Sequence, residues 1–167
     1  MNYLNVKTDE EMLQLSNLAS EIWHDYWPKI LSPAQIDYMV AKFQSFNALK
    51  EQIEDEGYIY NIMEFQGKNI GYFGLCPKEN CLFLSKIYIK ENYRGQGLGK
   101  SAFKKITEIA KEHNKNSIQL TVNKYNTNTI KAYEKWGFKI LNAVVTDIGQ
   151  DFVMDDYIME YIIQADK

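Results

Sequence analysis

The segment IYIKENYRGQGLGKS, residues 87–101, constrains the fold more than any other part of the chain. Its first residues alternate as in a β-strand, and its last residues begin an amphipathic helix with Leu98 on the apolar face. Between them Gly95, Gly97 and Gly99 occupy alternate positions, so the backbone can turn sharply and bring its N–H groups close to a ligand. The first turn of a helix adds unpaired N–H groups and the positive end of the helix dipole. The segment therefore predicts an anion site between a strand and a helix.

Spacing excludes two common phosphate-binding loops. A Walker loop requires G-x-x-x-x-G-K-S/T, and although residues 99–101 fit its end, Arg94 stands at the position of its first glycine. A dinucleotide-binding loop requires G-x-G-x-x-G after the first strand of a βαβ unit, whereas this chain has G-x-G-x-G. The remaining pattern is R-x-x-G-x-G. Arg94 is also the only arginine among nineteen basic residues, which places the one bidentate donor of the chain at this loop.

Hydrophobic periodicity and capping residues predict one mixed α/β domain over residues 1–167. The predicted elements are a strand at 3–7, helices at 8–26, from 33 and at 47–57, strands at 58–65, 70–76 and 81–90, a helix at 98–113, a strand at 117–122, a helix at 126–136 and two final strands around a turn at 148–151. The strand, helix and strand between residues 82 and 122 predict a right-handed crossover. A parallel strand pair inside a mixed sheet follows from it.

Charge and composition narrow the possible partners. The net charge is -3, and the first sixty residues carry four lysines against ten acids, which suits a cationic partner and disfavours nucleic acid. No apolar run is long enough for a membrane span, and the N-terminus does not resemble a signal peptide, so we expect a cytoplasmic protein without a membrane partner. His24 and His113 are far apart and give no ligand spacing, so no metal site is predicted.

Two motifs resemble those of the GNAT-type N-acetyltransferases. IYIKENYRGQGLGK resembles the strand and acyl-CoA pyrophosphate loop of that family, and NTNTIKAYEKWGFK resembles its second motif, N-x-x-A-x-x-x-Y-x-x-x-G-F. In the second motif Asn126, Tyr133, Gly137 and Phe138 match, whereas Thr129 replaces the usual alanine. The resemblance implies the GNAT fold, with the order β-α-α-β-β-β-α-β-α-β-β and a splayed parallel pair that binds acyl-CoA. A weaker similarity is to bacterial polyamine acetyltransferases of the spermidine/spermine type.

The same resemblance implies how acetyl-CoA is held and used. The expected cofactor-binding residues are Ile87, Tyr88, Ile89, Arg94, Gly95, Gln96, Gly97, Leu98, Gly99, Lys100, Ser101 and Asn126. A backbone N–H within residues 87–89 is expected to polarise the thioester carbonyl. Tyr133 is expected to be the general acid, because a phenol with an ordinary pKa of about 10 can protonate a leaving thiolate with a pKa of about 8.5.

The acceptor segments are acidic and aromatic, which favours a small cationic amine such as a polyamine. The expected substrate-binding residues are Trp23, His24, Asp25, Tyr38, Asp155 and Asp156. The pattern identifies no general base, and Glu21, Asp37 and Tyr157 are further candidates for that role. Two alternatives stay open: acetylation of a protein N-terminus or lysine, and a non-catalytic CoA-binding sensor or interaction module. The resemblance also leaves a homodimer open.

Overall fold

The structure is a computed structural model that describes residues 1–164. The described residues form seven strands and five α-helices, with short 3-10 helices at Trp27–Lys29 and Glu91–Tyr93. Their bounds are β1 Asn2–Asn5, α1 Asp9–Tyr26, α2 Pro33–Phe43, α3 Phe46–Glu54, β2 Ile59–Phe65, β3 Lys68–Pro77, β4 Leu82–Ile89, α4 Leu98–Glu112, β5 Ser117–Asn123, α5 Thr127–Trp136, β6 Lys139–Gly149 and β7 Phe152–Ile162. The predicted succession of strands and helices is found, and α3 is the third predicted helical segment.

Local sequence explains where the first helices begin. The predicted capping box of α1 is present: Glu11 N–H donates to Thr8 Oγ1 at 3.2 Å, and Thr8 N–H donates to Glu11 Oε2 at 2.9 Å. Ser32 caps α2 by accepting from the N–H of Gln35 at 3.2 Å. Ser45 caps α3 in the same way, so this helix begins one residue before the predicted start.

The described chain forms two compact units. The first consists of Met1–Cys76 and Ser85–Phe103. It contains β1, β2 and β3 in antiparallel pairing, as in the register Ile62↔Tyr72, followed by the C-terminal part of β4. Helices α1, α2 and α3 pack against one another in this unit. Its core includes fully buried Leu15, Leu49, Tyr60, Ile62, Tyr72 and Phe73.

The second unit consists of Pro77–Leu84 and the chain from Lys104 onward. In it the start of β4 pairs in parallel with β5, through Leu82↔Ile118 and Phe83↔Gln119, which confirms the predicted parallel pair. Strand β7 pairs antiparallel with both β5 and β6. The final hairpin turns at Gln150 and Asp151, both with positive φ, within the predicted turn. Among residues 1–164, no helix combines the length and apolar character that crossing a bilayer requires.

Candidate active site

The glycine-rich loop lies between the 3-10 helix Glu91–Tyr93 and α4, in the first unit. Gly95 and Gly97 have φ values of 75° and 77°, in the left-handed region that favours glycine. A Cβ at either position would meet no atom within 4 Å, so the space next to the loop is open. Leu98 is buried and anchors the first turn of α4, whereas residues 94–97 are exposed. The loop therefore presents backbone to solvent at a helix N-terminus, as the sequence predicts for an anion site.

Arg94 is held in place by two contacts. Its Nε donates a hydrogen bond to the carbonyl oxygen of Ile89 at 2.8 Å. Its guanidinium carbon lies 4.8 Å from the ring centroid of Tyr26, the last residue of α1. Because the Nε is engaged, the two terminal nitrogens are the groups that can form a bidentate contact with an anion. Tyr26 was not among the residues predicted from the sequence, since its contact with Arg94 joins distant parts of the chain.

The strand that precedes the loop is fixed against α1 and β3. Tyr88 contacts the rings of Trp23, Tyr26, Trp27 and Tyr72, with centroid distances of 5.4 to 6.3 Å. A Cβ at Gly71 of β3 would overlap the carbonyl oxygen of Tyr88, so β3 approaches closely only because residue 71 is glycine. The side chain of Tyr88 is therefore packed into an aromatic cluster, and a role in cofactor binding would fall to its backbone.

Lys86 is a half-buried cation one residue before the predicted cofactor strand segment. Its Nζ donates to Tyr60 Oη at 2.5 Å and to Gln52 Oε1 at 3.2 Å. Burial lowers the pKa of Lys86 to about 8, and the charge of Glu56 opposes the change. Sequence reasoning missed this cluster. The available signal was a lysine in register with Leu82, Leu84 and Tyr88, on the face of β4 that packs inward.

Most of the predicted acceptor residues of the first unit already have partners elsewhere in that unit. Trp23 is 4% exposed and donates its Nε1 hydrogen to Tyr72 Oη at 2.8 Å. Asp25 is exposed, and Tyr38 Oη accepts from Lys42 Nζ at 3.2 Å. These three positions therefore offer one exposed carboxylate and two rings that already have partners.

His24 joins α1 to α2. Its Nδ1 donates to the Ser20 carbonyl oxygen at 2.8 Å, and its Nε2 donates to Asp37 Oδ1 at 2.7 Å. The hydrogen bond with Asp37 is the main cause that raises the pKa of His24, and the bond to Ser20 adds to it. Because both ring nitrogens face acceptor oxygens, this arrangement favours the protonated form of His24 and leaves neither nitrogen placed to accept a proton.

Asn126 and Tyr133 of the second sequence motif lie in the second unit. Asn126 is buried at the start of α5, and its N–H donates to the Asn123 carbonyl oxygen at 2.9 Å. Tyr133 is 7% exposed, and its ring packs against Trp136 and Phe138 at centroid distances of 5.5 and 5.6 Å. The motif thus forms one turn-and-helix structure around a buried tyrosine.

Asp155 and Asp156 lie side by side on β7 but have different surroundings. Lys124 Nζ lies 2.5 Å from Asp155 Oδ1. Asp156 is 8% exposed, and burial is the main cause that raises its pKa to about 6. The charge of Asp155 adds to this increase and that of Lys124 opposes it. Of these two carboxylates, Asp155 is paired with a lysine and Asp156 is desolvated.

Residues 13–138 match the family model for the acetyltransferase (GNAT) family. A Bacillus subtilis (strain 168) protein, provisionally named as a ribosomal protein bS18-alanine N-acetyltransferase, is 31% identical over 104 residues, which are 60% of this chain and 69% of that protein. The thialysine N-epsilon-acetyltransferase of Bos taurus is 32% identical over 72 residues, 42% of each chain. The PaiA N-acetyltransferase of Thermoplasma acidophilum, crystallised with coenzyme A, has a TM-score of 0.78 at 23% identity, over 98% of this chain and 100% of that chain. This last similarity is one of fold.

Proposed function

Because the chain belongs to the acetyltransferase (GNAT) family, as its two motifs predicted, we propose that it transfers the acetyl group of acetyl-CoA to a primary amine. Both substrates are bound together, and the amine attacks the thioester directly. The observation that carries the proposal is the position of Arg94, the only arginine of the chain, which Ile89 and Tyr26 hold at the exposed glycine loop.

The loop fits the diphosphate of CoA. Its positive-φ glycines leave open space at the N-terminus of α4, where backbone N–H groups favour phosphate oxygens. We assign the diphosphate to Arg94, Gly95, Gln96, Gly97, Leu98, Gly99, Lys100 and Ser101. We assign the pantetheine arm to the backbone of residues 87–89 and to Asn126. The bound thioester would supply the activated acetyl group, and its carbonyl oxygen would accept from a backbone N–H of residues 87–89.

Tyr133 is proposed as the general acid. Its match to the family motif supports this role, and its burial favours it because a hydrogen bond to a thiolate is stronger where water is excluded. The phenol gives its proton to the sulfur as the carbon–sulfur bond breaks. It then regains a proton from the nitrogen of the new amide.

For the acceptor we propose a small cationic amine, such as a polyamine. Carboxylates and aromatic rings in α1, α2 and β7 support this class, and one relative is named for acetylation of thialysine, a small amine. The alternative is the N-terminus or a lysine of a protein, which the relative named for ribosomal protein bS18-alanine favours. A non-catalytic CoA sensor is the remaining alternative. Four further expectations stay predictions: a single domain, a cytoplasmic location, the absence of a nucleic-acid partner and the oligomeric state.

Release of the CoA thiol from acetyl-CoA tests the proposal, with spermidine, an aminoglycoside, free amino acids and an alanine-terminated peptide as acceptors. We expect turnover with spermidine at millimolar concentration. Turnover with the peptide alone would favour the protein acceptor. No turnover with any amine, while calorimetry detects CoA binding, would favour the sensor. No heat with CoA would contradict the proposal as a whole.

Two variants test the assigned roles. Tyr133→Phe should reduce kcat about 10²-fold with unchanged CoA affinity, because only the proton donor is removed. Tyr125→Phe, at a tyrosine that is 70% exposed, is the matched control. Arg94→Glu should weaken CoA binding by about 10- to 100-fold, since a hydrogen bond to a charged group contributes about 1.5–3 kcal/mol. The exposed Lys68→Glu is its control. Wild-type behaviour of either variant would remove that assignment.

A further inference from the structure

Asp156 lies on β7, the strand that pairs with both β5 and β6. It is paired in register with Asn123 on β5 and with Val144 on β6. The residue is 8% exposed, and within residues 1–164 no donor forms a hydrogen bond with its Oδ1 atom. A carboxylate oxygen is therefore removed from water without a replacement donor from the protein.

Lys124, the cation that acts on Asp156, is paired with the neighbouring carboxylate. Strand geometry places Asp155 and Asp156 on opposite faces of β7. Lys124 Nζ lies 2.5 Å from Asp155 Oδ1 and 5.6 Å from the ring centroid of Tyr157, so it occupies the face of the odd-numbered residues. On the face of Asp156, β6 contributes the apolar Val144, and Asn123 Oδ1 accepts from the N–H of Tyr125 at 2.9 Å.

The next charged group on that face is also satisfied. Glu160 lies four residues along β7, and its Oε1 accepts from Gln119 Nε2 at 2.9 Å. Burying a carboxylate without a partner is costly, and most buried polar groups in proteins are hydrogen-bonded. Asn123, the register partner of Asp156 on β5, accepts a hydrogen bond from the N–H of Asn126, the first residue of the second sequence motif. A buried carboxylate without a donor at such a place is a candidate functional group. The missing partner is a cationic hydrogen-bond donor, which is the chemistry of a protonated amine.

We propose that Asp156 binds the ammonium group of the acceptor and accepts its proton as the general base of the transfer. This inference rests on the proposed function. One proton passes from the ammonium nitrogen to Asp156 and then to solvent. The neutral amine forms the nitrogen–carbon bond, and the carbon–sulfur bond breaks. The thiolate takes its proton from the phenol of Tyr133. A second proton from the acceptor nitrogen then restores that phenol.

The electrostatics of the site agree with this role. A carboxyl group with a pKa of about 6 is mostly ionised at pH 7, yet it is a stronger base than an ordinary aspartate. Two charged groups act on the pKa of Asp156: Asp155 raises it and Lys124 lowers it. Below pH 6 the carboxyl is protonated and can neither bind an ammonium group nor accept its proton. Activity is therefore expected to fall on the acid side with an apparent pKa near 6.

The test compares wild type with Asp156→Asn, which keeps the shape and removes the basicity. Asp151→Asn removes a charge from the exposed turn of the same hairpin and is the matched control. With spermidine as acceptor, we expect D156N to lower kcat/KM by 10²- to 10⁴-fold and to lose the acid limb of the pH profile. Its CoA affinity should equal that of wild type. Its melting temperature at pH 7 should be equal or higher, because an unpaired buried charge is removed.

Four outcomes would overturn the inference. If D156N has the kcat/KM of the wild type, only the inference about Asp156 is overturned, because turnover by the wild type would still support the proposed function. A wild-type profile without a limb near pH 6 would also overturn it, and this measurement holds even if the variant folds poorly. A lower melting temperature with a kcat/KM loss equal to the loss of folded protein would assign Asp156 a structural role. Absence of turnover in the wild type would overturn both proposals.

Discussion

Replacing Lys86 by methionine should stabilise the protein at neutral pH. The ammonium group of half-buried Lys86 lies beside the stacked rings of Tyr58 and Tyr60, with Nζ 5.5 and 5.2 Å from their centroids. Its hydrogen-bond acceptors, Tyr60 Oη and Gln52 Oε1, are both uncharged. A desolvated cation without a carboxylate partner is less favourable than an apolar side chain of similar length.

The magnitude follows from the pKa of Lys86. Burial lowers it from 10.5 to about 8, which corresponds to roughly 3 kcal/mol against the charged form in the folded state. Methionine loses two hydrogen bonds, each contributing about 0.5–1.5 kcal/mol. Tyr60 Oη still donates to Gln52 Oε1 at 2.5 Å in its absence. We therefore expect Lys86→Met to raise the free energy of unfolding by up to roughly 2 kcal/mol at pH 7.

The pH dependence distinguishes this explanation from a simple packing effect. Between pH 8 and 10.5 the unfolded chain holds more protons at Lys86 than the folded chain, so wild-type stability increases with pH in this window. The advantage of Lys86→Met should be full below pH 8 and should shrink toward pH 10.5. Urea denaturation from pH 7 to 10.5 measures it, with exposed Lys68→Met as control. Destabilisation at pH 7, or a difference independent of pH, would refute the reasoning.

Two further perturbations test the contacts of α1. Tyr26→Leu should weaken CoA binding by about 3- to 10-fold, because it removes a cation–π contact of about 0.5–1 kcal/mol or more that orients Arg94. Tyr26→Phe keeps the ring and is the control. Equal affinities of the wild type and both variants in calorimetry would contradict this role. Asp37→Asn should lower the free energy of unfolding by less than about 1 kcal/mol at pH 6. The pKa of His24 is raised in the folded state, so the contribution of this pair is full below about pH 6.5 and is lost as the pH rises through the folded-state pKa. Urea denaturation at pH 6 and pH 8.5 measures the loss, and a loss that grows with pH would contradict the assignment.

The features predictable from sequence are those set by neighbouring residues. The capping box of Thr8 and Glu11, the positive-φ glycines of the loop and the turn at residues 150–151 all depend on contacts within a few positions. Family motifs extended this to the fold, because both motifs lie within residues 13–138, which match the family model. Even the small difference at α3 is local, since the cap is Ser45 rather than a later residue.

The features that could not be predicted depend on contacts between distant residues. The environment of Lys86 is formed by Gln52 and Tyr60, which lie 34 and 26 positions away. Arg94 was predicted at the loop, but its orientation depends on Tyr26 in the first helix. A period-two pattern gives the face of a strand on which a side chain lies. It does not give the partner that meets the side chain there.

Lys86 is half-buried and Asp156 is buried, and both are ionisable, yet they lead to different conclusions. Lys86 has two hydrogen-bond acceptors within its own unit, so its charge is compensated in part before any ligand binds. Asp156 Oδ1 has no donor among residues 1–164, and the adjacent Lys124 is paired with Asp155. A cationic ligand would therefore gain little near Lys86 and would complete the hydrogen bonding of Asp156. The removal of Lys86 should thus alter stability with little effect on the acid limb of activity, whereas the removal of the Asp156 charge should abolish that limb without loss of stability.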